Sequence, residues 1–141
     1  MSGGADGGAS SFVHLHVRSG FSHGYGVATP EELVEAASGL GYGMLSLTDR
    51  DGLYGVPRFL MAAAEHGVFP IVGVEISMEA GGHLVLLADS MAGYRSLCRL
   101  VTEYRCASKD RRQPLCSVET VLKHSRGLAC LTGAIPFGLL P

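Results

Sequence analysis

The sequence predicts an α/β fold: beyond a short leader, β-type apolar runs alternate with segments of helical periodicity, the order expected of βα units with largely parallel strands. Size supports one compact domain, since 141 residues with 47% hydrophobic content suffice to bury a core. The helical segments also carry explicit start and stop signals, so the alternation does not rest on hydropathy alone.

Met1 to Ser11 is rich in Gly, Ser and Ala and reads as a disordered leader, leaving residues 12–141 as the folded domain. Phe12 to His16 is expected to be a short first strand, followed by a Gly-rich loop from Ser19 to Ala28. The first helix opens at Thr29 as N-cap, with Pro30 at the first helical position and Glu32 closing a capping box. Leu33, Ala36, Ala37 and Leu40 form its expected buried stripe, and Gly41 suits a left-handed exit. A second strand, Gly43 to Leu47, ends at Thr48-Asp49-Arg50. The helix from Val56 to His66 turns Phe59, Leu60, Ala63 and Ala64 inward.

Phe69 to Ile76 is the third strand, and the short turn from Glu79 to Gly82 allows His83 to Ala88 to return as an antiparallel hairpin. Ser90 caps a longer helix to about Arg105, with Tyr94, Leu97, Cys98, Val101 and Tyr104 at helical spacing. Arg95, Arg99 and Arg105, with Lys109, Arg111 and Arg112 in the next loop, read either as a solvated face or as a phosphate-facing patch. A short helix over Ser117 to His124 and a fifth strand over Gly127 to Thr132 complete the pattern. A closed eight-unit barrel needs about 250 residues, so five strands make an open sheet or an incomplete barrel.

The formal net charge of −2 supplies no overall basic field, so any contact with DNA is local or indirect. Cys98, Cys106, Cys116 and Cys130, with gaps of 7, 9 and 13 residues, match no CxxC metal or redox pattern and are expected as reduced thiols of a cytoplasmic protein. No membrane segment is expected. His16, Asp49 and Glu75 fall at the carboxyl ends of predicted strands, where parallel sheets present functional side chains, and their donor types suit zinc, manganese or iron. His14, two residues before His16, lines the same cavity or packs in the core; both readings stay open. His83 reaches the site only if its strand returns in a hairpin.

The words His14-Leu15-His16-Val17, Ser19-Gly20-Phe21-Ser22, Leu47-Thr48-Asp49-Arg50-Asp51-Gly52-Leu53-Tyr54-Gly55, Pro70-Ile71-Val72-Gly73-Val74-Glu75, His83-Leu84-Val85-Leu86-Leu87-Ala88 and Gly127-Leu128-Ala129-Cys130-Leu131-Thr132-Gly133 follow one another in a familiar order. From Phe12 to about Gly133 the chain resembles the PHP (polymerase and histidinol phosphatase) domain at the amino end of the bacterial DNA polymerase III alpha subunit. Thr48-Asp49-Arg50-Asp51-Gly52 is most similar to the error-prone and actinobacterial alpha subunits. The resemblance implies a distorted, TIM-like βα barrel, here truncated and incomplete. It also implies a site for up to three metal ions that hydrolyses phosphoesters when intact.

Carried over residue by residue, the resemblance leaves His16, Asp49 and Glu75 as ligand positions, with His14 and His83 as further candidates. It places Arg18, Tyr25, Arg50 and Ala134 where other ligands would stand. A guanidinium neither deprotonates near neutral pH nor coordinates a cation. The implied picture is a remnant site in which Arg18 and Arg50 satisfy Glu75 and Asp49 by bidentate hydrogen bonds. No resident cofactor is then expected, and zinc, manganese or iron only if the remnant still works. The partner implied is the remainder of the polymerase alpha subunit or a replication or proofreading protein, with DNA contacted only indirectly. A free-standing phosphoesterase of the exonuclease or histidinol-phosphatase type is the second reading. A non-enzymatic truncated paralogue that binds a protein partner is the third.

Overall fold

The computed structural model describes residues 12–132; the expected leader and Ala134 lie outside them. The element order is α1 (Pro30–Gly39), β1 (Met44–Leu47), α2 (Val56–His66), β2 (Phe69–Ser77), β3 (His83–Ala88), α3 (Met91–Ala107), α4 (Val118–Lys123) and β4 (Leu128–Leu131). The fold class is α/β, as the alternation predicts. The strands form one sheet in the order β1-β2-β3-β4. β1 pairs with β2 in parallel, whereas β2–β3 and β3–β4 are antiparallel, so the expectation of largely parallel pairing is corrected. The cause is the tight turn after Ser77, too short for a crossover, which makes the hairpin that the sequence allowed.

The expected first strand does not form. Ser46 N donates to His14 O, but Thr48 N donates to Val17 O, so three steps along the leading segment match two along β1. That surplus residue breaks the ladder as a bulge does. Thr48 Oγ1 fills the gap, accepting from Val17 N at 3.0 Å and donating to Val17 O at 3.1 Å.

Caps open the helices where the sequence places them. Thr29 and Glu32 form the reciprocal capping box, and Ser90 and Ser117 cap α3 and α4 through their hydroxyls. The buried stripes differ from expectation. In α1 they are Pro30, Val34 and Ala37, while Leu40 is exposed; in α2 they are Val56, Phe59, Ala62 and Ala63, with Leu60 and Ala64 outside the core. Both helices carry apolar residues around more than half their circumference, so spacing alone leaves the facing stripe open.

Strand register shows where the core sits. Leu47 faces the same side as its partner Val72, and Val74 and Ile76 continue that face of β2 to Leu86 and Leu84 of β3. Leu45 and Leu47 pack on α1 and α2, and Val74, Ile76, Leu84 and Leu86 pack on α3 and α4. The four helices therefore cover one face, leaving Gly73, Glu75 and Ser77 on the other. The four cysteines are free thiols.

Gly93, in the first turn of α3, lies against the loop before β4, where an added Cβ would come within 2.0 Å of Gly127 O. Gly39 in α1 has open space around the equivalent position. Gly93→Ala is expected to cost about 1–3 kcal/mol in urea unfolding, the usual range for overpacking. Gly39→Ala is expected to gain roughly 0.5–1 kcal/mol from helix propensity.

Candidate metal centre and its arginine neighbours

The polar face of the sheet holds one buried carboxylate at its middle. Glu75 of β2 is 1% exposed, and its Oε2 lies 2.5 Å from His16 Nε2. Arg18 donates to the same oxygen from Nε at 2.8 Å and from Nη2 at 2.5 Å. The Arg18 contact agrees with the pairing implied by the sequence, except that both donors meet one oxygen instead of spanning the carboxylate. Burial acts to raise the carboxyl's pKa, but the hydrogen bonds from His16 and Arg18 outweigh it and hold the group below the ordinary carboxylate range.

His83 joins this group because the hairpin pairs it with Ser77, two residues beyond Glu75 on the same face. Its ring lies 5.7 Å from that of His16, and its Nε2 is buried without a hydrogen-bond partner among the described residues. Burial pushes this imidazole below its ordinary value, against the attraction of Glu75. His14 lies elsewhere: its ring packs edge-on against Phe12 and Tyr42, at 4.8 and 5.1 Å. His14 is exposed, with these two ring contacts and no place in the candidate metal group.

Asp49 does not converge with His16 and Glu75, which corrects the sequence expectation. Arg50, not Asp49, is the bridge partner of Glu75, with Glu75 N donating to Asp49 O and Asp51 N donating to Glu75 O. Side-chain alternation then sends Asp49 to the other side. There it is 2% exposed and accepts from Ser19 N at 2.7 Å, Ser22 Oγ at 2.7 Å and Ser19 Oγ at 2.8 Å. The expected Arg50–Asp49 pair is likewise replaced. Arg50 Nε donates to Ser77 Oγ at 3.1 Å and lies 3.6 Å from Asp51 Oδ2.

Sequence reasoning missed a third buried carboxylate, Asp51. It adopts a left-handed φ of 52°, which Asp tolerates better than most residues. It accepts from Ser77 N, Ser77 Oγ and Tyr104 Oη at 2.8–3.0 Å, while its main-chain oxygen accepts from Arg105 Nη1 at 2.7 Å. The Asp51-Gly52 turn signal marks the bend, but Tyr104 lies too far along the chain for any local pattern to pair them. Tyr25, placed by the sequence at a vacated ligand position, is a ring platform for both guanidiniums: Arg50 Cζ lies 4.5 Å and Arg18 Cζ 5.3 Å from its centroid.

The expected patch along α3 divides. Arg105, Arg111 and Arg112 line an open cavity of 880 Å³ together with Arg50, Tyr25 and Tyr54, while Lys109 lines a smaller neighbouring one of 500 Å³. Arg95 and Arg99 are exposed on the helix surface away from both. At 3.6 residues per turn, Arg105 is rotated roughly 120° from Arg99, so one helix face cannot hold all three.

One donor from each of His16, Glu75 and His83 lies within 4.8 Å of the others, a spacing that a single divalent ion requires. Arg18 donates to the same Glu75 oxygen that His16 Nε2 meets, so a permanent positive charge lies beside this donor set.

Asp49→Ala would leave three donors without their acceptor at the mouth of the Ser19–Ser22 loop. The expected loss is about 2–5 kcal/mol by urea unfolding, from unsatisfied buried groups. Asp49→Asn, which keeps one acceptor, is expected to fall between the variant and the parent.

The PHP domain model matches residues 14–140. The error-prone DNA polymerase of Pseudomonas aeruginosa is 43% identical over 115 residues, covering 75% of this chain and 11% of the polymerase. Among solved structures, an amidohydrolase from Chromobacterium violaceum with bound sulfate and no metal has a TM-score of 0.55 at 31% identity, covering 67% of this chain and 34% of that one. A protein assigned as a metal-dependent phosphoesterase from Bifidobacterium adolescentis has a TM-score of 0.51 at 26% identity, covering 67% of this chain and 32% of its own. The chain thus spans about a ninth of the curated polymerase and a third of these structures. On the match across nearly all of its length, the chain belongs to the PHP domain family.

Proposed function

We propose that the chain is the PHP module of an error-prone-type DNA polymerase, serving a structural role within that cytoplasmic enzyme instead of hydrolysing phosphoesters. The observation that carries this reading is the double donation from Arg18 to Glu75 Oε2. A carboxylate buried to this degree needs a cation or several donors. Arg18 and His16 supply both, which removes the need for an ion. The same contacts tie the segment before Ser19 to the centre of the sheet, a structural duty that a metal would otherwise perform. The partner on this reading is the remainder of the polymerase or a replication or proofreading protein that packs on it.

One observation favours a second reading, a single-ion phosphoesterase site: among the described residues His83 Nε2 is buried with no hydrogen-bond partner, as an unused ligand would be. Elemental analysis separates the two. After dialysis against manganese or zinc, the parent is expected to carry well under one ion per chain. Arg18→His, which exchanges a fixed charge for a donor, is expected to gain binding and to stay inactive or weakly active on bis(p-nitrophenyl) phosphate. Stoichiometric metal in the parent, with hydrolysis lost in Glu75→Gln, would overturn the structural reading.

A further inference from the structure

We infer that the outer surface of α4, with the basic loop before it, docks an acid-flanked amphipathic helix of a separate protein. The inference rests on the structural reading above and deepens it, because it assigns a surface and a chemistry to the partner which that reading requires.

α4 is apolar on two sides. It buries Val121 in the core, yet Val118 and Leu122, four residues apart and therefore on one face, are 49% and 68% exposed. Leu115, three residues before Val118, is 46% exposed. A single exposed leucine is ordinary, whereas two apolar residues on one helical face with a third at its entrance form a patch.

Charge specifies what covers it. The whole chain carries −2, but residues 109–126 hold five basic residues against two acidic ones, Asp110 and Glu119. Among the described residues Lys109, Arg111, Arg112 and Arg126 have no ion-pair partner. Leu115 borders one cavity with Arg111 and Arg112 and another with Lys109, so the basic loop adjoins the patch in space as well as in sequence. The acids lining that second cavity are largely engaged: Glu103 accepts from Lys123, and Asp110 from the Arg112 amide, which leaves Glu79. A second copy of this chain is disfavoured by the same charges. Antiparallel packing of α4 on its twin would set the Arg111–Arg112 end of one against the Arg126 end of the other, and like charges repel. Acidic flanks on a different partner turn that repulsion into attraction.

The extent of the patch favours a separate protein over permanent packing within one chain. Permanent interfaces are large and apolar, whereas a narrow apolar stripe with a charged rim suits a short helix that docks by a few anchors under electrostatic steering. α4 is also pre-positioned to receive it. Ser117 caps its start, and at its end Lys123 Nζ donates to Glu103 of α3 at 2.9 Å while His124 Nε2 lies 2.8 Å from the same carboxylate. A receiving face fixed in this way lowers the ordering cost of binding.

The test is fluorescence anisotropy in EDTA with a labelled synthetic helix that carries a leucine stripe on one face and glutamates at both ends. Two control helices replace its glutamates by lysines or its leucines by serines. Saturable binding of the glutamate–leucine helix is expected, with each control weaker by about tenfold or more. Leu122→Ser and Arg111→Ser/Arg112→Ser are each expected to weaken it about tenfold, whereas Met61→Ser, at a 67% exposed residue of α2, is expected to leave it unchanged. An unchanged thermal melt would show that these exposed-site variants fold. Absence of saturable binding, equal binding of the lysine-ended helix, or equal losses in Met61→Ser and Leu122→Ser would overturn the proposal. So would a concentration-dependent dimer in sedimentation that Leu122→Ser abolishes, because a second copy would then occupy the surface. These outcomes are independent of metal content, so a metal-bound parent defeats the structural reading without deciding this one.

Discussion

The Glu75 carboxylate has to be neutralised inside a sheet, and the arrangement of the surrounding chain follows from how that is done. A buried, ionised carboxylate is stable only with strong donors around it. Arg18 and His16 meet that demand from a segment that fails to pair continuously with β1. The ladder loses register at Val17, so the side-chain contacts to Glu75 supplement two backbone bonds in holding the segment. Breaking a fully buried pair costs about 3–5 kcal/mol, and the partial exposure of Arg18 and His16 places this one lower.

The other two acids near the strand ends are sequestered instead of shared. Asp49 is turned inward by alternation and saturated by Ser19 and Ser22, and Asp51 is saturated by Ser77 and Tyr104. Because serine and tyrosine hydroxyls satisfy these acids, arginine side chains are not all consumed in ion pairs. Arg50 and Arg105 are fixed by neutral or peripheral contacts and keep donors facing the open cavity. One network that neutralises Glu75 and two that silence aspartates therefore leave a positively charged recess beside them.

Much of this was legible in the sequence, and the failures have definite causes. The caps at Thr29 and Ser90 were readable because each pairs a hydroxyl with the backbone donor three residues on, and Ser117 caps α4 in the same way. The short turn left a hairpin open, and His83 lies beside Glu75 because that hairpin, not the expected parallel pairing, forms. The family was readable because its motifs run in order through nearly the whole chain. The first strand was misread because β-type composition does not report a register slip, which depends on where Thr48 meets Val17. Asp49 differs from expectation because a one-residue shift in the bridge to Glu75 exchanges Asp49 for Arg50, and composition at a strand end does not encode register to one residue. Arg105 was grouped with Arg95 and Arg99 by proximity in sequence, although helical rotation separates them. Asp51 and Tyr104 are 53 residues apart, beyond any local pattern.

The coupling between Arg18 and Glu75 carries the account, and a double-mutant cycle in EDTA measures it directly. Arg18→Ala and Glu75→Gln are each predicted to destabilise the chain, and the double variant to lose less than their sum by about 1–3 kcal/mol, as for residues in one buried network. Strictly additive losses would contradict it, because they would mean that the guanidinium and the carboxylate stabilise the fold independently.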